Sequence, residues 1–115
     1  MRVIIAGSRD LEDMGINIVE NAVNASGFDV TEVVSGTARG ADQMGELWAS
    51  VEAIPVTQFP ANWAKFGKRA GSIRNLKMAR NADAVIAIWN GRSKGTKNMI
   101  ETAETLKLKV YIHRV

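Results

Sequence analysis

The chain has 115 residues, 46% of them hydrophobic and 23% charged, with a net charge of +3, which is the size and balance of one globular domain spanning residues 1–115. It contains no cysteine, which excludes a disulfide framework or a thiolate metal site and fits a reducing, cytoplasmic setting. No apolar run approaches the roughly 20 residues of a membrane span, and the first apolar run is too short for a signal peptide and lacks its cleavage pattern.

Residues 2–6 form a β-branched, apolar run that predicts a buried strand. Gly7-Ser8-Arg9-Asp10 breaks it. Leu11, Met14, Ile18, Ala22 and Val23 then recur at helical spacing, with Asp10 as N-cap, Asp13 as its capping-box partner and Gly27 as the stop. Residues 30–34 predict the second strand. The helix after it carries Met44, Leu47, Trp48 and Val51 on one face. Residues 54–59 predict a third strand, with Pro55 near its start, where a missing donor is tolerated at an edge. Residues 60–69 read as an irregular segment. A third helix follows over residues 71–81, with Ile73, Leu76 and Ala79 facing inward. Residues 84–89, Ala-Val-Ile-Ala-Ile-Trp, are apolar throughout, as in a strand buried on both faces of a parallel sheet. Thr96 opens a fourth helix carrying Met99, Ile100, Ala103 and Leu106, and residues 109–113 predict the last strand.

Strict alternation of strand and helix predicts an α/β, three-layer, Rossmann-like fold. Its five strands are parallel, with helices on both faces. The richest polar loops follow strands one, two and four. They converge if the strand order is 3-2-1-4-5, so that order is expected, with a ligand beyond the carboxyl ends of the strands.

Each loop has chemistry suited to an anion. Gly7, Ser8 and Arg9 place a close-approaching backbone, a hydroxyl and a guanidinium at a helix start; the same residues also suit a plain strand-to-helix turn. Gly36, Thr37, Arg39 and Gly40 offer hydroxyl, guanidinium and glycine backbone. Asp42, in the next helical turn, either favours the helix dipole, accepts from ribose hydroxyls or orients Arg39. Gly91, Ser93, Gly95 and Thr96 form a third loop, which departs from the P-loop pattern in glycine spacing and in the order of Lys and Thr; Thr96 doubles as an N-cap candidate. Arg69, Arg74 and Asn75 add two cations and an amide at the third helix start. Lys65, Lys68, Arg69, Arg74, Lys77 and Arg80 make the one dense basic stretch, which a small-anion site explains with fewer demands than a long nucleic acid.

Taken together, Gly7-Ser8-Arg9, Gly36-Thr37-Ala38-Arg39-Gly40-Ala41-Asp42, Arg69-Ala70-Gly71 with Ile73-Arg74-Asn75, and residues 91–96 resemble the SLOG superfamily. This is the Rossmann-like group that includes the LOG phosphoribohydrolases and DprA, and the likeness is strongest to its small YspA/YpsA-like branch. The resemblance implies a nucleotide or nucleotide-derived ligand and a homo-oligomer. LOG enzymes carry a Gly-Gly-x-Gly-Thr-x-x-Glu pattern whose glutamate serves cleavage of the base–ribose bond. Here Met99 stands at that glutamate's position, and Glu101, two residues on, points elsewhere and reads as solvated.

Three functions are therefore compared. The first is nucleotide binding, by a sensor, sequestering or processing protein. The second is an N-glycosidase with Asp42 as its catalytic acid. The third is a single-strand nucleic-acid module. Trp48 is expected in the core. Trp89 either packs or borders the site, and Trp63 either stacks on a base or anchors its loop. His113 is alone and reads as structural, and neither a metal nor a resident cofactor is expected.

Overall fold

The computed structural model describes residues 1–9 and 15–115. Its strands are β1 (Arg2–Gly7), β2 (Glu32–Ser35), β3 (Val56–Gln58), β4 (Ala84–Trp89) and β5 (Lys109–Arg114). Its helices are α1 (Asn17–Ser26), α2 (Ala41–Val51), α3 (Trp63–Phe66), α4 (Ala70–Arg80) and α5 (Lys94–Thr105), with a 3-10 turn at Gly67–Arg69. The sheet is parallel and ordered β3-β2-β1-β4-β5, the order that loop chemistry predicts.

The central strands are buried on both sides, which is why they read as continuous apolar runs. Val3, Ile5, Val33, Ile86 and Ile88 pack under α1 and α2. Ile4, Ala6, Val34, Val85 and Ala87 pack under α4 and α5. At the thinner β2–β3 side, polar ties hold the edge. Arg2 pairs with Glu32 at 2.9 Å, and the Thr57 hydroxyl donates to the same carboxylate at 2.9 Å. The Thr57 and Arg2 hydrogen bonds hold the Glu32 carboxyl below its ordinary range.

Several local expectations shift. The third strand is three residues long rather than six, because Ile54 and Phe59 lie outside its ladder. Segment 60–69 is not irregular: Asn62 caps α3 by accepting from the Lys65 N–H at 3.1 Å. The last helix begins at Lys94, and its cap is Ser93 rather than Thr96. Leu11, Met14 and the proposed capping pair Asp10 and Asp13 fall outside the described residues, while Gly27 ends α1 at φ 73. Leu47 and Val51 are 55% and 63% exposed. α2 instead seats small residues on the sheet: a Cβ at Gly45 would lie 2.9 Å from the Ile5 side chain. Leu106 is also exposed, whereas Trp48 is buried as expected. Among the described residues no helix is long and apolar enough to cross a membrane.

Burial separates residues that sequence alone treats alike. Ile86 is fully buried, so Ile86→Ala is expected to cost about 3–4 kcal/mol. Leu47→Ala should stay within about 0.5 kcal/mol. Urea unfolding of the two variants checks this, and equal losses would contradict the packing described.

Candidate functional site

β1 and β4 are neighbours, the helices that follow them, α1 and α5, pack on opposite faces of the sheet, and the residues directly after the two strands are bound to one another. Ser8, which is 1% exposed, is the junction. Its N–H donates to the Ile88 carbonyl at 3.1 Å, and its carbonyl accepts from the Ala41 N–H at 3.4 Å. Its hydroxyl accepts from the Asn90 N–H at 3.2 Å. One serine thus fastens the β1 loop to the β4 loop and to the start of α2. Gly40 makes the α2 junction possible. It sits at φ +79, and a Cβ there would run into the Ser8 carbonyl and lie 2.7 Å from Arg9 Cα, so any larger residue would part the two loops.

A cleft of about 380 Å³ opens at this junction. Ala6, Gly7, Ser8 and Arg9 line it from β1, Ala38 and Asp42 from the β2 side, and Arg74, Asn75 and Met78 from α4. Asn90, Ser93, Gly95, Thr96 and Met99 close it from the β4 loop and α5. The floor is apolar at Ala6, Met78 and Met99, and the walls are polar.

The buried polar walls are held in place by one another. Arg74 donates from Nη1 to the Gly36 carbonyl at 2.6 Å and from Nε to Asn75 Oδ1 at 2.9 Å. Asn75 passes the restraint on, donating to Asn98 Oδ1 at 2.9 Å and to the Gly95 carbonyl at 3.3 Å. This chain ties the β2 loop through α4 to the first turn of α5. Gly36 is required by close approach: a Cβ there would lie 2.6 Å from Arg74 Nη1 and 2.8 Å from Asp42 Oδ2. Ser35 steadies the same loop, accepting from the Thr37 N–H at 3.1 Å while donating to Glu46 at 2.5 Å.

At the α5 start, Asn90 Oδ1 accepts from the N–H groups of Arg92 and Ser93 at 2.8 and 3.0 Å. Ser93 Oγ then accepts from the Thr96 N–H and hydroxyl at 3.3 and 3.0 Å. The Thr96 hydroxyl is therefore engaged in building the helix start. Neither α4 nor α5 has an acid in its first turn, so both amino termini keep the positive end of the helix dipole uncompensated by side chains. Arg9 is exposed and carries no hydrogen bond or ion pair among the described residues.

Asp42 is 5% exposed and accepts from the Ala38 N–H at 3.3 Å. Burial pushes its carboxyl up to about 6, while Arg74 and the Ala38 N–H pull it down, Glu46 raises it and Arg9 lowers it. Burial outweighs its cationic neighbours. The same desolvation holds the Arg74 guanidinium below its ordinary value, with Asp42 acting in the opposite sense and Arg9 adding to the lowering.

The structure gathers Gly7, Ser8, Arg9, Asp42, Arg74, Asn75, Ser93, Gly95 and Thr96 around this cleft. Gly36 and Thr37 line an adjoining groove instead. Gly40 acts behind the wall, as described above, and Arg39 and Arg69 are exposed outside the cleft lining. Gly91 faces the Arg114 side chain, which lies over the Trp89 ring. Sequence reasoning missed Asn90 and Met78. An Asn directly after a strand and before Gly-x-Ser is an Asx-turn signal that could have found Asn90. Glu101 is exposed and lies outside the cleft lining. Asp10 is outside the described residues. Among those described, no group of three His, Cys, Asp or Glu side chains is placed to hold a metal.

A family model described as the YspA, cpYpsA-related SLOG family matches residues 1–66. The chain belongs to this SLOG family. The Gene 61 protein of Mycobacterium phage D29 is 35% identical to it over 117 residues, covering 95% of this chain and 93% of the phage protein. The X-ray structure of DNA processing protein A (DprA) from Streptococcus pneumoniae shares the fold, with a TM-score of 0.76 at 18% identity. That match covers 97% of this chain but 49% of DprA, so the chain spans about half of that protein's length.

Asp42 holds its proton more tightly in the folded chain, at about 6 against an ordinary 3.8. Between those values the folded state binds more protons than the unfolded one. Stability therefore falls as pH rises from about 4 through 6 and then levels off. From pH 5 to pH 8 this group alone should remove on the order of 1 kcal/mol. Asp42→Asn is expected to flatten the profile by that amount, and an unchanged difference between urea titrations at the two pH values would contradict it.

Proposed function

We propose that this SLOG domain binds a nucleotide or a nucleotide-derived phosphate in the cleft at the carboxyl ends of β1, β2 and β4, as a sensor, sequestering or processing protein. The observation that carries the reading is the pair of guanidiniums, Arg9 and Arg74, facing a cleft of about 380 Å³ whose buried polar walls are already hydrogen-bonded to one another. A site of this volume suits a small molecule. Preorganised walls spare the ordering cost of binding. The positive end of the α5 dipole and the two arginines favour phosphate oxygens. Membership of the SLOG family and the fold shared with a DNA-processing protein agree with a nucleotide-related role.

Calorimetry with nucleoside mono- and diphosphates and cyclic nucleotides tests the proposal. At least one is expected to bind, and Arg74→Ala should weaken it tenfold or more, as for a lost charge-assisted hydrogen bond of about 1.5–3 kcal/mol. If no nucleotide binds the folded chain, the proposal fails. Binding that tracks strand length and falls steeply with salt would move the ligand class to nucleic acid.

Asp42 supports a second reading. A buried carboxyl with a pKa of about 6 lines the cleft, which suits proton transfer near neutrality. The reaction would be hydrolysis of a nucleotide's N-glycosidic bond: Asp42 gives its proton to the departing base, water adds its oxygen to the ribose carbon, and the proton released by that water restores the Asp42 carboxyl. Chromatography would then reveal free base and ribose phosphate with the native chain and neither with Asp42→Asn. Turnover that survives this substitution removes Asp42 from the role.

A further inference from the structure

Beside the main cleft lies a groove of about 270 Å³, bordered by Thr37, Pro60 and Trp63 and sharing Arg9, Ala38 and Arg74 with it. We infer that this groove is a base-stacking subsite, in which the Trp63 indole takes the nucleobase of a nucleotide whose phosphate sits between Arg9 and Arg74; this rests on the nucleotide reading above.

The two spaces are lobes of one site, because the same two cations face both. Phosphate belongs with the cations and helix starts of the larger lobe. The smaller lobe adds an aromatic ring and a proline, which suit a flat, weakly polar ring. Its volume is that of about nine waters at about 30 Å³ each, the size class of a purine or pyrimidine with its exocyclic groups.

Trp63 is 53% exposed, yet its segment is held. Asn62 accepts from the Lys65 N–H through its side chain at 3.1 Å and from the Phe66 N–H through its carbonyl at 3.0 Å. One end of the indole rests against α4 at Gly71, where a Cβ would stand 3.6 Å from the ring. The ring is thus supported on one side and open on another, as a stacking platform requires. Across the groove Thr37 adopts φ 64, a conformation costly for a β-branched residue. The Ser35 hydroxyl, accepting from the Thr37 N–H, and the Arg74 bond to Gly36 help hold that loop.

The test is calorimetry of the native chain, Trp63→Ala and Trp63→Phe with adenosine 5′-monophosphate and with ribose 5-phosphate. Trp63→Ala should weaken the nucleotide about tenfold. Trp63→Phe should restore most of the loss, and ribose 5-phosphate should bind all three proteins alike. Equal weakening of both ligands would make Trp63 an anchor of its loop and overturn the subsite, as would a nucleotide affinity indifferent to Trp63→Ala. If ribose 5-phosphate and the nucleotide both fail to bind the native chain, the nucleotide reading falls and the subsite with it. Binding of a ten-nucleotide single strand without binding of the mononucleotide would assign this face to nucleic acid and overturn the subsite. Trp63 is exposed, so the unfolding midpoint should be unchanged and loss of fold is separable from loss of stacking.

Discussion

Residues 3–7 pair in parallel with residues 84–88, one for one, and the side chains of residues 3–6 and 84–88 are all buried. These two strands form the middle of the sheet, with β2 and β5 outside them. β1 ends at Gly7, opposite Ile88, and β4 runs one residue further to Trp89, so Ser8 and Asn90 come together beyond the strands and join through the Ser8 hydroxyl. The helices that follow these strands, α1 and α5, pack on opposite faces of the sheet, which leaves a gap between them at the strand ends that no described segment crosses. α2 closes one side of that gap, and α4 with α5 closes the other. The position of the site therefore follows from the strand order, and its chemistry follows from the three loops.

The strand order was legible because polar loop residues had to converge somewhere. The end of the site nearest the central strands was legible for the same reason: Gly7, Ser8 and Arg9 follow an unmistakable apolar run. What sequence could not separate was contact with the cleft from support behind it. Ser8, Asn75 and Thr96 line the cleft, but most of their hydrogen-bonding capacity is spent on neighbouring loops. Hydroxyls and amides in glycine-rich loops look the same in either role. Arg69 and Arg74 illustrate the same limit. Arg69 falls in the 3-10 turn and faces solvent, while Arg74, on the second turn of α4, reaches back to Gly36.

The helix faces show a second kind of limit. On α2 the large apolar residues suggested a stripe containing Leu47 and Val51. The helix is instead seated through Ala41, Gly45 and Ala49, one turn apart and buried. At about 100° per residue, Leu47 stands about 160° around the helix from Gly45. Small residues at four-residue spacing bring the helix backbone close to the sheet, and the bulky side chains flank the contact. The short α3 escaped for another reason. Its four residues bury no side chain and so leave no periodic signal, and only Asn62 as a cap could have announced it.

The cleft also constrains the chemistry it could support. Among the described residues, Asp42 is the single carboxylate that lines it, and α5 contributes the thioether of Met99 rather than an acid. Glycosidic cleavage by a carboxylate pair needs one group to stabilise developing positive charge and another to protonate the leaving base. Asp42 could serve one of these roles, but not both at the same instant. Its environment favours the protonated form until pH exceeds about 6, which suits a donor better than an ionic stabiliser. A neutral Asp42 also leaves Arg9 and Arg74 unopposed toward an anion, whereas an ionised one competes for them. An incoming phosphate would push the Asp42 carboxyl higher still. Phosphate binding and proton uptake by Asp42 would therefore be coupled with the same sign, and that coupling is independent of whether any bound ligand is turned over.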